Sequence, residues 1–201
     1  MANHHIFNAH GEDISESDSW LALQVASLPE GVALDDITLI EVINQQEKHD
    51  VLLPLFDMLT AESTDHNESL LTEVVNLIRQ HSSRLGVWVD ASELAAHIDQ
   101  LTDLQDQLLA QDLIVVVVPA FADGRNFSVI QSLRQLGFEG EIRVAGAFGR
   151  DQIAYLLRVG TDSFVIKEHD AKTDLSQAFS ALASAHSGKS AASLPLFANH
   201  E

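Results

Sequence analysis

LIVVVVPAFADGRNFSVIQSLRQLG, residues 113–137, runs from six aliphatic residues through a polar turn into the opening of a helix. Leu113–Val118 is almost wholly β-branched and shows no polar alternation, as expected of a strand covered on both faces of a parallel sheet. The turn then carries Asp123, Arg125, Asn126 and Ser128 just beyond the carboxyl end of that strand. Ligands of open α/β sheets settle in the crevice outside the carboxyl ends of the strands, so the stretch predicts both a central strand and a binding edge.

On both sides the same unit returns. Val129, Ile130, Leu133 and Leu136 mark a helix that stops at Gly137, and EIRVAGAF, residues 141–148, reads as the next strand. A helix opening at Arg150 or Asp151 buries Ile153, Leu156 and Leu157 and stops at Gly160. SFVIK, residues 163–167, is the last strand, and Asp174 caps a final helix. Upstream, LGVWV, residues 85–89, predicts a strand ending at Asp90. Ser92 then serves as N-cap of one long helix running to about Gln111 on Leu94, Ile98, Leu101, Leu104 and Leu108. Residues 66–81 form an amphipathic helix on Leu70, Leu71, Val74, Val75 and Ile78. VLLPLF, residues 51–56, is strand-like, although Pro54 argues against an interior position. Trp20–Leu28 and Ile37–Ile43 are mixed apolar runs, residues 1–19 a frayed segment or edge hairpin, and residues 187–201 a loose tail.

This alternation predicts one α/β domain over residues 20–186, with a mainly parallel sheet of about five strands and flanking helices. A doubly wound, Rossmann- or flavodoxin-like arrangement leads; half of a (β/α) barrel is the alternative.

The chain has 201 residues, 46% of them hydrophobic, enough for a substantial core. It has no cysteine, which excludes disulfides, zinc–thiolate sites, iron–sulfur ligation and cysteine nucleophiles on this chain. The amino terminus lacks a signal-peptide pattern and no apolar run reaches a membrane span, so the expectation is a cytoplasmic protein. The formal net charge of −19 is uneven: residues 1–112 hold 21 acids against Lys48, Arg79 and Arg84, whereas residues 113–201 are nearly balanced. The acidic bulk argues against nucleic-acid backbones and anionic membranes as partners.

Sorted by sheet edge, Asp90, Asp123, Arg125, Asn126, Arg150, Asp151, Gln152, Lys167 and Glu168 follow strands and gather at the carboxyl edge. Arg134 and Arg158 fall in last helical turns, Arg143 near a strand start, and all three belong to the opposite edge. The candidate ligand-binding set is therefore Asp123, Arg125, Asn126, Ser128, Arg150, Asp151 and Gln152, where guanidinium forks and helix N-termini suit a small oxyanion. The bland reading is that Asp123 pairs with Arg150, or Asp151 with Arg125, to order two loops. DGRN carries a single glycine and matches neither a Walker loop nor a dinucleotide fingerprint. His97 and His169 are poorly placed to activate a serine, and the arginines around Asp90, Asp123 and Asp151 compete with a metal, so no metal or cofactor is assigned.

PAFADGRNFS, SLRQLGFEGEIRVAGAF, RDQIAYLLRVGTDSF and LGVWV resemble a bacterial domain-of-unknown-function family labelled as an oxidoreductase of sulfite reduction. The resemblance spans about residues 50–185. It implies a gene neighbour of assimilatory sulfite or nitrite reductase, hence an accessory role in assimilatory sulfur metabolism with a small oxyanion or a reductase as partner. An oxidoreductase using a borrowed cofactor and a homodimeric scaffold are the alternatives. Phe121, Asp123, Gly124, Arg125, Arg150, Asp151 and Gln152 are among the positions that fit the family's pattern. Ala120, Ala122 and Ala147 depart from it, since members of the family tend to carry Lys, a hydroxyl residue and Asp there.

Overall fold

The computed structural model describes residues 4–23, 36–44, 48–62 and 70–180. Their strands are β1 (His4–Asn8), β2 (Trp20–Leu23), β3 (Asp36–Ile37), β4 (Asp50–Pro54), β5 (Leu85–Asp90), β6 (Leu113–Val118), β7 (Glu141–Gly146) and β8 (Ser163–Lys167). The helices are α1 (Leu39–Asn44), α2 (Leu55–Glu62), α3 (Leu70–His81), α4 (Ala91–Ala96), α5 (Gln105–Leu109), α6 (Arg125–Leu136), α7 (Arg150–Val159), α8 (Glu168–Ala171) and α9 (Ser176–Ser180). The expected tail at 187–201 lies outside the described residues.

All strands join one sheet in the order β1-β8-β7-β6-β5-β4-β2-β3, parallel except for β1, which runs antiparallel along β8. From β4 to β8 the order is sequential. Right-handed crossovers that always step the same way leave their helices on one side, so the sheet curls into a half-barrel. The mainly parallel α/β sheet with flanking helices is as the sequence predicts, and its curl fits the half-barrel alternative; the strand order turns back once, between β2 and β4, because β3 lies on the far side of β2.

Two hydrophobic clusters record this one-sidedness. Ile114, Val116 and Val118 of β6 pack outward with Val129, Ile130 and Leu133 of α6. Leu113, Val115 and Val117 face the other way, against Trp20, Leu52, Ala145 and Val165 from neighbouring strands. The inner cluster is made of strand residues alone. Each residue of β6 is at most 1% exposed, so at about 1.5–3 kcal/mol per large aliphatic side chain this strand contributes to burial on both faces of the sheet along its whole length.

Local differences from the sequence reading have physical causes. Strand β4 is interior, paired with β2 and β5, and tolerates Pro54 because the β2 ladder stops at Leu52 and needs no N–H beyond it. The N-cap of α4 is Asp90, whose Oδ1 accepts from Ser92 N at 2.7 Å, two residues earlier than the expected cap at Ser92. The long helix over 92–111 divides into α4, a 3-10 turn at Ile98–Gln100 and α5. Asp99, Thr102 and Asp103 are weak helix formers, and i→i+3 bonds such as Gln100 N to His97 O and Asp103 N to Gln100 O tighten the chain there. The amino-terminal segment is an ordered edge: Ile14 N donates to Ile6 O at 2.7 Å, closing a hairpin-like loop behind β1.

The inner face also holds a charge. Register places Arg143 beside Val115 and Ser163, so this residue is buried on the concave surface and does not stand on the amino edge as its position early in the strand suggests. Its side chain is 1% exposed; Nη2 and Nη1 donate to the two oxygens of Asp18 at 2.6 and 3.1 Å, and Nε donates to Ser163 Oγ at 3.0 Å and Glu141 Oε1 at 3.1 Å. At the amino end, Arg84 stacks 4.7 Å above the Trp20 ring and donates to Asp50 Oδ2 at 2.6 Å. The Arg84 hydrogen bond, helped by the Ser19 hydroxyl and opposed by burial, holds the Asp50 carboxyl below its ordinary value.

Two outcomes are expected. Arg143→Met, which leaves Asp18 and Glu141 without their cation, should cost about 3 kcal/mol in urea unfolding, while Asp18→Asn combined with Glu141→Gln on the same background should recover part of that loss. Because the folded carboxyl of Asp50 titrates below the unfolded one, its contribution is full above the ordinary Asp value of 3.8 and is lost as pH falls from there toward the lowered folded value. Acid unfolding of Asp50→Asn should therefore show a shallower pH dependence over that window than the wild type; an identical slope would contradict the assignment.

Candidate functional site

The carboxyl ends of β7 and β8 enclose a cleft of about 360 Å³, within the usual range for small-molecule sites. Its shape begins with Gly146. There φ is +100°, a left-handed conformation that other residues rarely adopt, and an added Cβ would meet Val118 O at 2.4 Å. With that approach allowed, Ala147 N donates to Val118 O at 2.8 Å and the chain turns sharply toward α7. Gly149 is tight for a different reason: a Cβ there would lie 2.6 Å from the Phe121 ring.

Gln152 ties the two loops together. Its Oε1 accepts from Gly149 N at 3.1 Å, and its Nε2 donates to Phe121 O at 3.4 Å. The β6–α6 turn is thereby held over the start of α7, and Phe121 overhangs the cleft. Phe148, Ile153 and Val165 form the apolar lining. The cations that line it are Arg150 and Lys167, both exposed, and the acid is Asp170, which has His169 Nδ1 3.1 Å away. In a chain of net charge −19, a cleft whose lining carries two cations against one acid is a local reversal of sign.

The seven residues singled out from the sequence divide between two places. Arg150 lines the cleft, with its Nη2 donating to the carbonyl of Asp174, and Gln152 braces it. Asp151 stands exposed in the first turn of α7. Asp123, Arg125, Asn126 and Ser128 sit at the start of α6 and do not line the cleft. Neither loop-ordering pair, Asp123 with Arg150 or Asp151 with Arg125, forms among the described ion pairs. Arg125 instead folds back on Asp123: Nε to Oδ1 is 2.8 Å, Nη2 to Oδ2 2.6 Å, and the backbone N of Arg125 donates to Oδ1 at 3.1 Å. The Arg125 hydrogen bond keeps the Asp123 carboxyl below its usual value. Its fork is thus occupied by a neighbour two residues away. Ser128 is exposed on α6, and Asn126 is fully buried with neither amide atom meeting a hydrogen-bond partner in the protein.

Lys167 and Phe121 line the cleft but are not among the seven candidate ligand-binding residues, although the sequence puts Lys167 at the carboxyl edge and Phe121 among the positions that fit the family's pattern. Lys167 follows four buried residues of β8 as its last, exposed member, a position that by itself points to the carboxyl edge. For Phe121 the residue type alone gave no such signal, since an isolated aromatic in a turn reads as readily as a packing residue; only the resemblance to the family marked it. Arg134 behaves as its place in a last helical turn predicts, donating to the carbonyls of Gly160, Phe138 and Gly140 and pairing with Asp162.

No group of three or more His, Asp or Glu side chains suited to a metal ion occurs among the described residues. Among the same residues no helix is long and apolar enough to cross a membrane. No curated protein matches the chain. Residues 86–197, which contain β5 from its second residue, β6 to β8 and the whole cleft, match the family described as bacterial protein of unknown function (DUF934). With more than half of its length accounted for in this way, the chain belongs to the DUF934 family of bacterial proteins.

Proposed function

We propose that the protein is an anion-binding accessory protein of assimilatory sulfur metabolism, which takes a small oxyanion into the cleft at the carboxyl ends of β7 and β8. The observation that carries the binding reading is the meeting of Arg150 and Lys167 in one cleft of an otherwise strongly acidic chain. A guanidinium and an ammonium on adjacent walls offer charge-assisted hydrogen bonds to sulfite, sulfate or phosphate oxygens. Arg84, Arg125, Arg134 and Arg143 are each closed on a carboxylate, whereas the hydrogen bond from Arg150 goes to a neutral carbonyl. The sulfur context comes from the family resemblance, which also makes a reductase the natural partner.

Calorimetric titration with sulfite, sulfate and phosphate at low ionic strength tests the reading. Arg150→Ala and Lys167→Ala should each weaken binding about tenfold, in keeping with roughly 1.5–3 kcal/mol for a hydrogen bond to a charged group discounted for exposure. Affinity should fall as salt is added. A greater loss in Arg125→Ala than in Arg150→Ala would move the site to the β6–α6 turn, and no binding of any anion by the folded wild type would overturn the proposal.

A further inference from the structure

Eight phenylalanines lie among the described residues, and Phe7, Phe56, Phe127, Phe138, Phe148, Phe164 and Phe179 all belong to the hydrophobic core or pack against it. Phe121 does neither. It is 58% exposed, yet it is not loose: Gly149 lies close against its ring, and Gln152 holds its carbonyl. Single exposed apolar side chains are ordinary, and Ile40 and Tyr155 are others here; what sets Phe121 apart is that its ring is held at the rim of a cleft. The cleft also has more room than a tetrahedral oxyanion would fill, and its lining divides into a charged part, Arg150 and Lys167, and an apolar part, Phe121, Phe148 and Val165.

From this division we infer that the natural ligand belongs to the nucleotide class, with its phosphate or sulfate group on Arg150 and Lys167 and its base stacked on Phe121. The inference rests on the anion-binding reading of the same cleft and adds the ring. Stacking on a side-chain ring accepts any base, because every base has a π-face, so the base identity is left to contacts other than Phe121. Phe121 and the cations come from separate elements, the β6–α6 turn on one side and the ends of β7 and β8 on the other, so a bound nucleotide would bridge them.

The test uses adenosine 5′-monophosphate, ribose 5-phosphate and inorganic phosphate as probes of the full chain, by calorimetry at fixed low ionic strength. The expected result is that the nucleotide binds about tenfold or more tightly than ribose 5-phosphate, within the range that base–aromatic stacking gives on alanine substitution. Phe121→Ala should remove that advantage while leaving phosphate affinity within about twofold, and Phe121→Trp should retain it. Equal affinities for the nucleotide and ribose 5-phosphate, with phosphate binding intact, would overturn this inference and leave the anion reading standing. A Phe121→Ala variant that loses phosphate and nucleotide binding in parallel would also overturn it, by showing that the ring only supports the loop. Concentration-dependent self-association that disappears in Phe121→Ala, without any preference for the nucleotide, would assign the ring to a contact between copies. Failure of all three probes to bind would overturn both readings.

Discussion

The cleft exists because two backbones touch. The carboxyl ends of β6 and β7 come together at Val118 and Gly146, and the space between them is too small for a side chain on Gly146. The left-handed turn there redirects the chain at once from strand to loop, so that α7 starts beneath the β6–α6 turn. Gln152 and the ring of Phe121 then complete what that contact begins.

Electrostatics divides the molecule in a similar way. Most arginines serve the fold by meeting carboxylates or helix-terminal carbonyls, and that use is costly only at Arg143, whose charge is almost wholly removed from water. Its three partners, Asp18, Glu141 and Ser163, show how the interior accommodates it: the guanidinium is hydrogen-bonded by two acids and a hydroxyl. The cations of the cleft are different, because they stand at the surface against a background of negative charge.

The strands that were legible in the sequence are those whose residues have only one reading. Leu113–Val118 and Ser163–Lys167 fall where their apolar runs put them, and Gly137 and Gly160 end helices with φ of +100° and +112°. Strand order was not legible, because a doubly wound sheet and a half-barrel have the same alternation of strand and helix and differ only in which neighbour each new strand chooses. Pro54 misled for a related reason: its cost depends on whether a partner strand reaches that far, and β2 does not. Arg143 had a signal in Glu141-Ile142-Arg143, where two charged residues share a strand face, but the partner that makes burial tolerable, Asp18, lies 125 residues away. Site residues show the same limit. Membership of the carboxyl edge follows from position alone, whereas the choice of Arg150 over Arg125 depends on whether a side chain closes on its own loop.

The pairing of β1 with β8 has a consequence for how this chain can be divided. The segment that matches the family, residues 86–197, is flanked in the sheet by strands outside it on both sides, β4 beside β5 and β1 beside β8. A cut before residue 86 would therefore strip two strand edges at once and leave Arg143 without Asp18. The matched range is thus a boundary of resemblance that does not coincide with an edge of the sheet, since amino-terminal strands pair with the matched part at both of its ends.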